Sequence, residues 1–169
     1  MELDGRLIPL TQGYWTIVDE DDYNWLSRWR WKILIAKGYP QWHFSAVRTI
    51  TGGGTAYMHR EILGLSSRRD EVDHINGYSL DNRRSNLRLA TKSQNQGNRY
   101  RILARSGFRG VRFDKKTGLW QGRVCINYRH LHLGSFVTAA EAARAVDAAL
   151  VEQFGAFART NESLGRFSR

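Results

Sequence analysis

Residues 72–95 read VDHINGYSLDNRRSNLRLATKSQN, and the order of signals along them decides the architecture. A short apolar run ends in Asp73-His74. Turn residues follow, first Asn76-Gly77 and then Asp81-Asn82. Leu87-Arg88-Leu89 alternates as a second short strand does. Thr91 and Gln94 have the spacing of a capping box, so a helix is expected to start there with Asn95 in its first turn. The predicted order is strand, loop, strand, helix.

That order suits phosphodiester hydrolysis. Asp73 and Asn95 are two hard oxygen donors, the kind that hold Mg²⁺ or Mn²⁺ together with waters and phosphate oxygens. His74 neighbours Asp73 on a strand, where successive side chains point to opposite faces. Its imidazole is therefore expected away from the metal, placed to take a proton from an attacking water.

Asp73-His74, Asn86 and Asn95 together resemble the HNH endonuclease family and its ββα-metal site, most closely the phage-type homing endonucleases that end the motif in Asn. The resemblance implies that His74 is the general base, that Asp73 and Asn95 bind one metal ion, and that Asn86 braces the loop and orients the histidine through backbone hydrogen bonds. Asn95 stands where many members carry His, which favours an oxygen-ligated Mg²⁺ site.

Working back toward the start, residues 7–10 and 15–18 read as strands around Thr11-Gln12-Gly13. The acidic run Asp19 to Asp22 opens a short helix expected to end near Ser27. Residues 31–35 and 41–50 read as strands, and Thr51 to Thr55 as a hairpin tip. A helix is expected to end at Gly64, led into by Met58-His59-Arg60, a segment that resembles one preceding the hairpin in the same family. Five of the six tryptophans lie between Trp15 and Trp42, which points to an aromatic core.

The chain of 169 residues carries a net charge of +10, unevenly spread. Residues 1–98 hold 13 basic and 11 acidic side chains, residues 99–169 hold 13 and 5. The basic excess of the second segment suits a polyanion such as nucleic acid. Cys125 is the only cysteine, so neither an internal disulfide nor a cysteine-based structural zinc is expected. No membrane span and no secretory signal are expected, so a cytoplasmic location is expected, and the resemblance to phage-type homing endonucleases implies that of a bacterial or phage-infected cell.

Residues 99–107 read as a basic linker whose Arg99, Arg101 and Arg105 suit the DNA backbone. Residues 108–113, 120–127 and 129–136 then read as three strands, joined by the Asp114 to Gly118 turn and a tight Asn127-Tyr128 turn. Gln121, Arg123 and Cys125 alternate with Gly122, Val124 and Ile126. Thr138 and Glu141 form a second capping box, opening a helix with an apolar stripe from Ala139 to Phe154.

Phe108-Arg109-Gly110-Val111-Arg112, Trp120, Leu133-Gly134-Ser135-Phe136 and the alanine-rich helix resemble the AP2 DNA-binding domain. The resemblance implies an exposed sheet face in the major groove, with Arg109, Arg112, Gln121, Arg123 and His132 at positions that contact bases or phosphates. Lys116 and His132 depart from the plant pattern, so the plant target is not carried over.

The expected class is α+β: an HNH domain over residues 1–98 (a β-rich region over 1–57, active hairpin and helix over 72–98), a linker, and an AP2-like domain over 108–161. The expected function is a metal-dependent endonuclease acting on double-stranded DNA, with nicking or homing activity and no small-molecule cofactor. A DNA-binding regulator with a decayed nuclease domain and an RNA-directed protein are the alternatives. Target sequence and oligomeric state, monomer or dimer, are not encoded legibly.

Overall fold

A computed structural model describes residues 4–35, 44–67, 69–98, 106–126 and 129–167. The chain forms two compact units, Met1–Ala90 and Thr91–Arg169, of mixed α and β structure. Among the described residues there are four α-helices and several small antiparallel sheets. No helix among them is long and apolar enough to cross a membrane.

In the first unit, β1 (Arg6–Pro9) pairs with β2 (Trp15–Val18). The strand alternation turns Thr16 and Val18 inward and leaves Trp15 outside. α1 (Glu20–Leu26) follows, with Glu20, Asp21 and Asp22 in its first turn, where the helix dipole favours negative charge. Three strands come next, β3 (Lys32–Ile35), β4 (Phe44–Thr49) and β5 (Thr55–Tyr57), in the order β3-β4-β5. The expected strand from Gln41 is described only from Phe44; residues 36–43 lie outside the described residues. α2 (Met58–Ile62) begins earlier than the sequence suggests, taking His59 and Arg60 into the helix, and Gly64 follows it at φ 65°.

β6 (Glu71–His74) and β7 (Leu87–Ala90) close the unit as a two-stranded ribbon in which Asp73 faces Arg88 and His74 faces Leu87. The core gathers Ile8, Leu10, Val18, Leu26, Trp31, Ile33, Ala46, Met58, Ile62 and Leu87. Of the five tryptophans expected to form an aromatic core, Trp42 lies outside the described residues, and the other four divide between core and surface. Trp31 is buried and donates from Nε1 to Leu26 O at 2.8 Å, and Trp25 packs against the core. Trp15 and Trp29 are exposed, the latter lying under the Arg48 guanidinium at 4.2 Å.

The second unit opens with α3 (Lys92–Asn98). Its capping box is formed: Thr91 Oγ1 accepts from Gln94 N at 3.2 Å and Gln94 Oε1 from Thr91 N at 2.8 Å. Gly97 lies so close to the Phe154 ring that an added Cβ would stand 2.6 Å from it. Residues 99–105, with Arg99, Arg101 and Arg105, lie outside the described residues.

A three-stranded sheet follows, β8 (Val111–Asp114), β9 (Leu119–Ile126) and β10 (Arg129–Phe136), with β9 central. The expected turn at Asn127-Tyr128 lies outside the described residues. α4 (Ala139–Phe154) packs on one face through Ala142, Ala143, Val146 and Leu150, with Val111 and Val124 beneath. The first strand begins three residues later than expected. Gly110 sits at φ 75°, and any Cβ there would meet Arg123 O at 2.6 Å, so Phe108 to Gly110 form a turn.

Candidate active site and nucleic-acid face

In the first unit the loop between β6 and β7 is built from its own polar side chains. Gly77, at φ 74°, donates its N–H to His74 O at 2.8 Å and reverses the chain directly after the histidine. Asn86 spans the loop: its Oδ1 accepts from Asn76 N at 2.9 Å, and its Nδ2 donates to Asp81 O at 2.7 Å. Asp81 accepts from Asn76 Nδ2 at 2.8 Å and pairs with Arg83 through both carboxylate oxygens. The loop is also fastened to β2, where Ile17 N donates to Leu80 O at 3.0 Å and Asn82 N to Ile17 O at 2.8 Å. Arg84 reaches the start of α1, donating from Nε and Nη2 to Asp22, while its N–H meets Asp19 Oδ2 at 2.7 Å. The acidic run that opens α1 therefore anchors the loop as well as the helix.

Asp73 and His74 leave β6 toward opposite faces, as the strand period requires. Asp73 is buried, and its carboxylate is held by Arg88, whose Nε donates to Oδ2 at 2.8 Å. His74 turns the other way, and its Nε2 lies 3.2 Å from Asn82 Oδ1. The Asn82 amide donates to Thr16 Oγ1 at 2.8 Å, and the Thr16 hydroxyl donates to Leu80 O at 2.8 Å. The His59 ring packs edge-on against His74, with centroids 5.4 Å apart, and Tyr57 flanks His59 at 5.6 Å.

Burial pushes the His74 pKa below the ordinary histidine value, against the opposing pull of its Asn82 bond and of the Asp73 and Asp81 charges. Burial also pushes His59 down to about 3, reinforced by His74 and Arg60. A neutral imidazole beside a carboxylate is the state a proton acceptor requires at neutral pH.

Among the described residues no group of three or more His, Cys, Asp and Glu side chains is placed to hold a metal ion. The donor chemistry of Asp73 nevertheless fits Mg²⁺ or Mn²⁺, which need few protein oxygens because water and phosphate complete their shell. Asn95 lies in the second unit, one turn into α3, with its N–H bonded to Thr91 O at 2.9 Å.

Sequence reasoning does not find Asn82, Thr16 and Arg88 as members of this cluster, whereas the Met58-His59-Arg60 segment already offers His59 as a residue to pack beside the site or touch DNA. Asn82 reads as a turn residue. Thr16 and Arg88 reach the site only through tertiary packing, for which no local spacing exists.

On the second unit, the sheet face away from α4 carries Arg112, Gln121, Arg123 and His132 on neighbouring strands. Arg112 pairs in register with Gln121, and Arg123 with His132. Gln121 is fixed from both ends, donating from Nε2 to Asp114 Oδ2 at 2.9 Å and accepting from Arg123 Nη2 at 2.7 Å. Arg109 lies elsewhere: its half-buried guanidinium donates to Gly97 O and Arg159 O.

Neither the curated proteins nor the solved structures contain a match to this chain. Residues 70–96, which run from the approach to β6 into α3, match the family model described as HNH endonuclease, and that match supports an HNH nuclease domain in this chain.

Proposed function

We propose that the chain is a divalent-metal-dependent endonuclease that hydrolyses phosphodiester bonds in double-stranded DNA, with His74 as general base. The observation that carries the reading is the half-buried His74 imidazole beside Asp73, held by Asn82 inside the segment that matches the HNH endonuclease family. His74 takes the proton from the attacking water, and Asn86 keeps the loop after it in shape. Asp73 and Asn95 would hold a Mg²⁺ or Mn²⁺ ion, Asn95 on the strength of the sequence resemblance and of its place in the matched segment. Such an ion supplies Lewis-acid stabilisation of the phosphate's charge.

The exposed face of Arg112, Gln121, Arg123 and His132, on an AP2-like sheet and helix, would bind the duplex. Arg and Gln match guanine and adenine edges in the major groove, and the basic excess of residues 99–169 supplies phosphate attraction. One site of this kind cuts one strand, so a monomer is expected to nick. Homing is the biological setting that the resemblance suggests.

A non-catalytic DNA-binding regulator is the second reading, favoured by the Arg88 guanidinium that occupies Asp73. Supercoiled plasmid carrying DNA that flanks the gene separates the two. Conversion to open circle in Mg²⁺, absent in EDTA and in His74→Ala, is the expected result. Tight binding without cleavage in Mg²⁺ or Mn²⁺ supports the regulator.

A further inference from the structure

Resting on the reading of His74 as proton acceptor, we infer that Thr16 and Asn82 are positioning residues that fix the His74 tautomer, with the proton on Nε2 and the basic lone pair on Nδ1. The hydrogen-bond chain runs in one consistent direction. Thr16 Oγ1 lies 2.8 Å from Leu80 O. A carbonyl has no hydrogen to give, so the single hydroxyl hydrogen of Thr16 lies on that bond. Toward Asn82, Thr16 Oγ1 then offers only a lone pair, and the Asn82 atom 2.8 Å away is the amide nitrogen. This turns Asn82 Oδ1 toward His74 Nε2, at 3.2 Å. An amide oxygen accepts, so Nε2 carries the hydrogen.

The opposite amide orientation fails on the same count. Asn82 Oδ1 would then face Thr16 Oγ1, whose one hydrogen cannot serve both that oxygen and Leu80 O. One pair of oxygens would stand 2.8 Å apart with no proton between them. Thr16 and Asn82 are each 1% exposed, so water does not readily relieve such a contact. Asn82 is also held by its backbone, through Ile17 O at 2.8 Å. The His59 ring packed edge-on against His74 restricts its rotation from another side. A solvent-exposed imidazole samples both tautomers; this one is set by a hydroxyl on β2.

The test is long-range ¹H–¹⁵N NMR of the His74 ring in the full chain, without DNA or metal ion, at about pH 8, well above the ordinary histidine pKa. The expected spectrum has a protonated Nε2 and an unprotonated Nδ1. In Thr16→Val the amide loses its acceptor and is free to turn, so Nδ1-protonated signal is expected to appear. Turnover at saturating DNA should fall about tenfold with KM unchanged, a fraction of the 10²–10⁴ that a positioned base contributes. Thr16→Ser, which keeps the hydroxyl, is expected to restore both. A wild-type ring protonated on Nδ1 overturns the inference without any variant, as does a Thr16→Val protein whose tautomer and turnover match wild type. The spectrum is read in the absence of cleavage, so its failure is distinct from failure of the nuclease reading, which the plasmid assay judges.

Discussion

Asp73 and Arg88 face one another across the β6–β7 ribbon, and two guanidinium nitrogens converge on one carboxylate oxygen, Nε at 2.8 Å and Nη2 at 2.7 Å. Their side chains are 8% and 19% exposed, so the pair is largely shielded from water. Removing one partner leaves a buried charge without its counterion, which costs more than the pair contributes. Arg88→Met is therefore expected to lower stability by about 1–3 kcal/mol. If Asp73 is a metal ligand, Mg²⁺ should raise the melting temperature of Arg88→Met more than that of wild type, because the ion replaces the missing positive charge. Melts with and without Mg²⁺ check this; equal responses would place the ion off Asp73.

His59 makes a prediction about pH. Unfolded, its ring takes a proton near 6.5; folded, burial and its neighbours hold it to about 3. Between those values the unfolded state binds more protons, so stability is full above about 6.5 and falls as the pH drops toward 3. His74 is shifted in the same direction and steepens the loss. Urea unfolding followed by tryptophan fluorescence reads the first unit, since five of the six tryptophans lie there. His59→Phe keeps a ring against His74 and should flatten the slope below pH 6.5. An unchanged slope would assign the pH dependence to other groups.

Local chemistry made much of the fold legible. The two capping boxes, Thr91 with Gln94 and Thr138 with Glu141, join residues only three positions apart, and both are formed. The β6 and β7 strands follow from a period of two between turn residues. What stayed hidden is what distance along the chain conceals. Thr16 meets Asn82 across 66 residues, and Arg84 meets Asp22 across 62. Arg109 is hidden for a different reason: only the AP2 resemblance places it on the DNA face, and the turn at Phe108 to Gly110, with Gly110 at φ 75°, keeps it out of the strand.

Arg109 and Asn161 carry the next prediction. Asn161 is fully buried; its Oδ1 accepts from Arg109 N at 2.6 Å, and its Nδ2 donates to Asp147 Oδ1 at 2.8 Å. The Arg109 guanidinium meanwhile holds the Gly97 and Arg159 carbonyls. Asn161→Ala should cost the second unit about 2–3 kcal/mol, because buried donors and a carboxylate lose their partner. Arg109→Ala should cost about 1 kcal/mol and leave target preference unchanged. Hydrogen exchange at β8 and α4 reads the stability, and a selection from random duplexes reads the preference. A changed preference in Arg109→Ala would return that residue to the DNA interface.

Arg123 should behave in the opposite way. It is exposed on the open face, next to His132 in register, and one of its nitrogens steadies Gln121 while Asp114 holds the other end of that amide. An arginine and a glutamine oriented by one another are suited to reading adjacent base edges, where geometry carries the discrimination. Arg123→Ala should weaken binding to the preferred duplex by about 1–3 kcal/mol and bring it closer to the affinity for unrelated DNA. Lys116→Ala, on the exposed turn between β8 and β9, should weaken both to the same extent if it meets only phosphate. Titrations of labelled duplexes at two salt concentrations separate these cases, since a lost phosphate contact lowers the salt slope and a lost base contact does not. Unchanged affinity and preference in Arg123→Ala would move recognition off this face of the sheet.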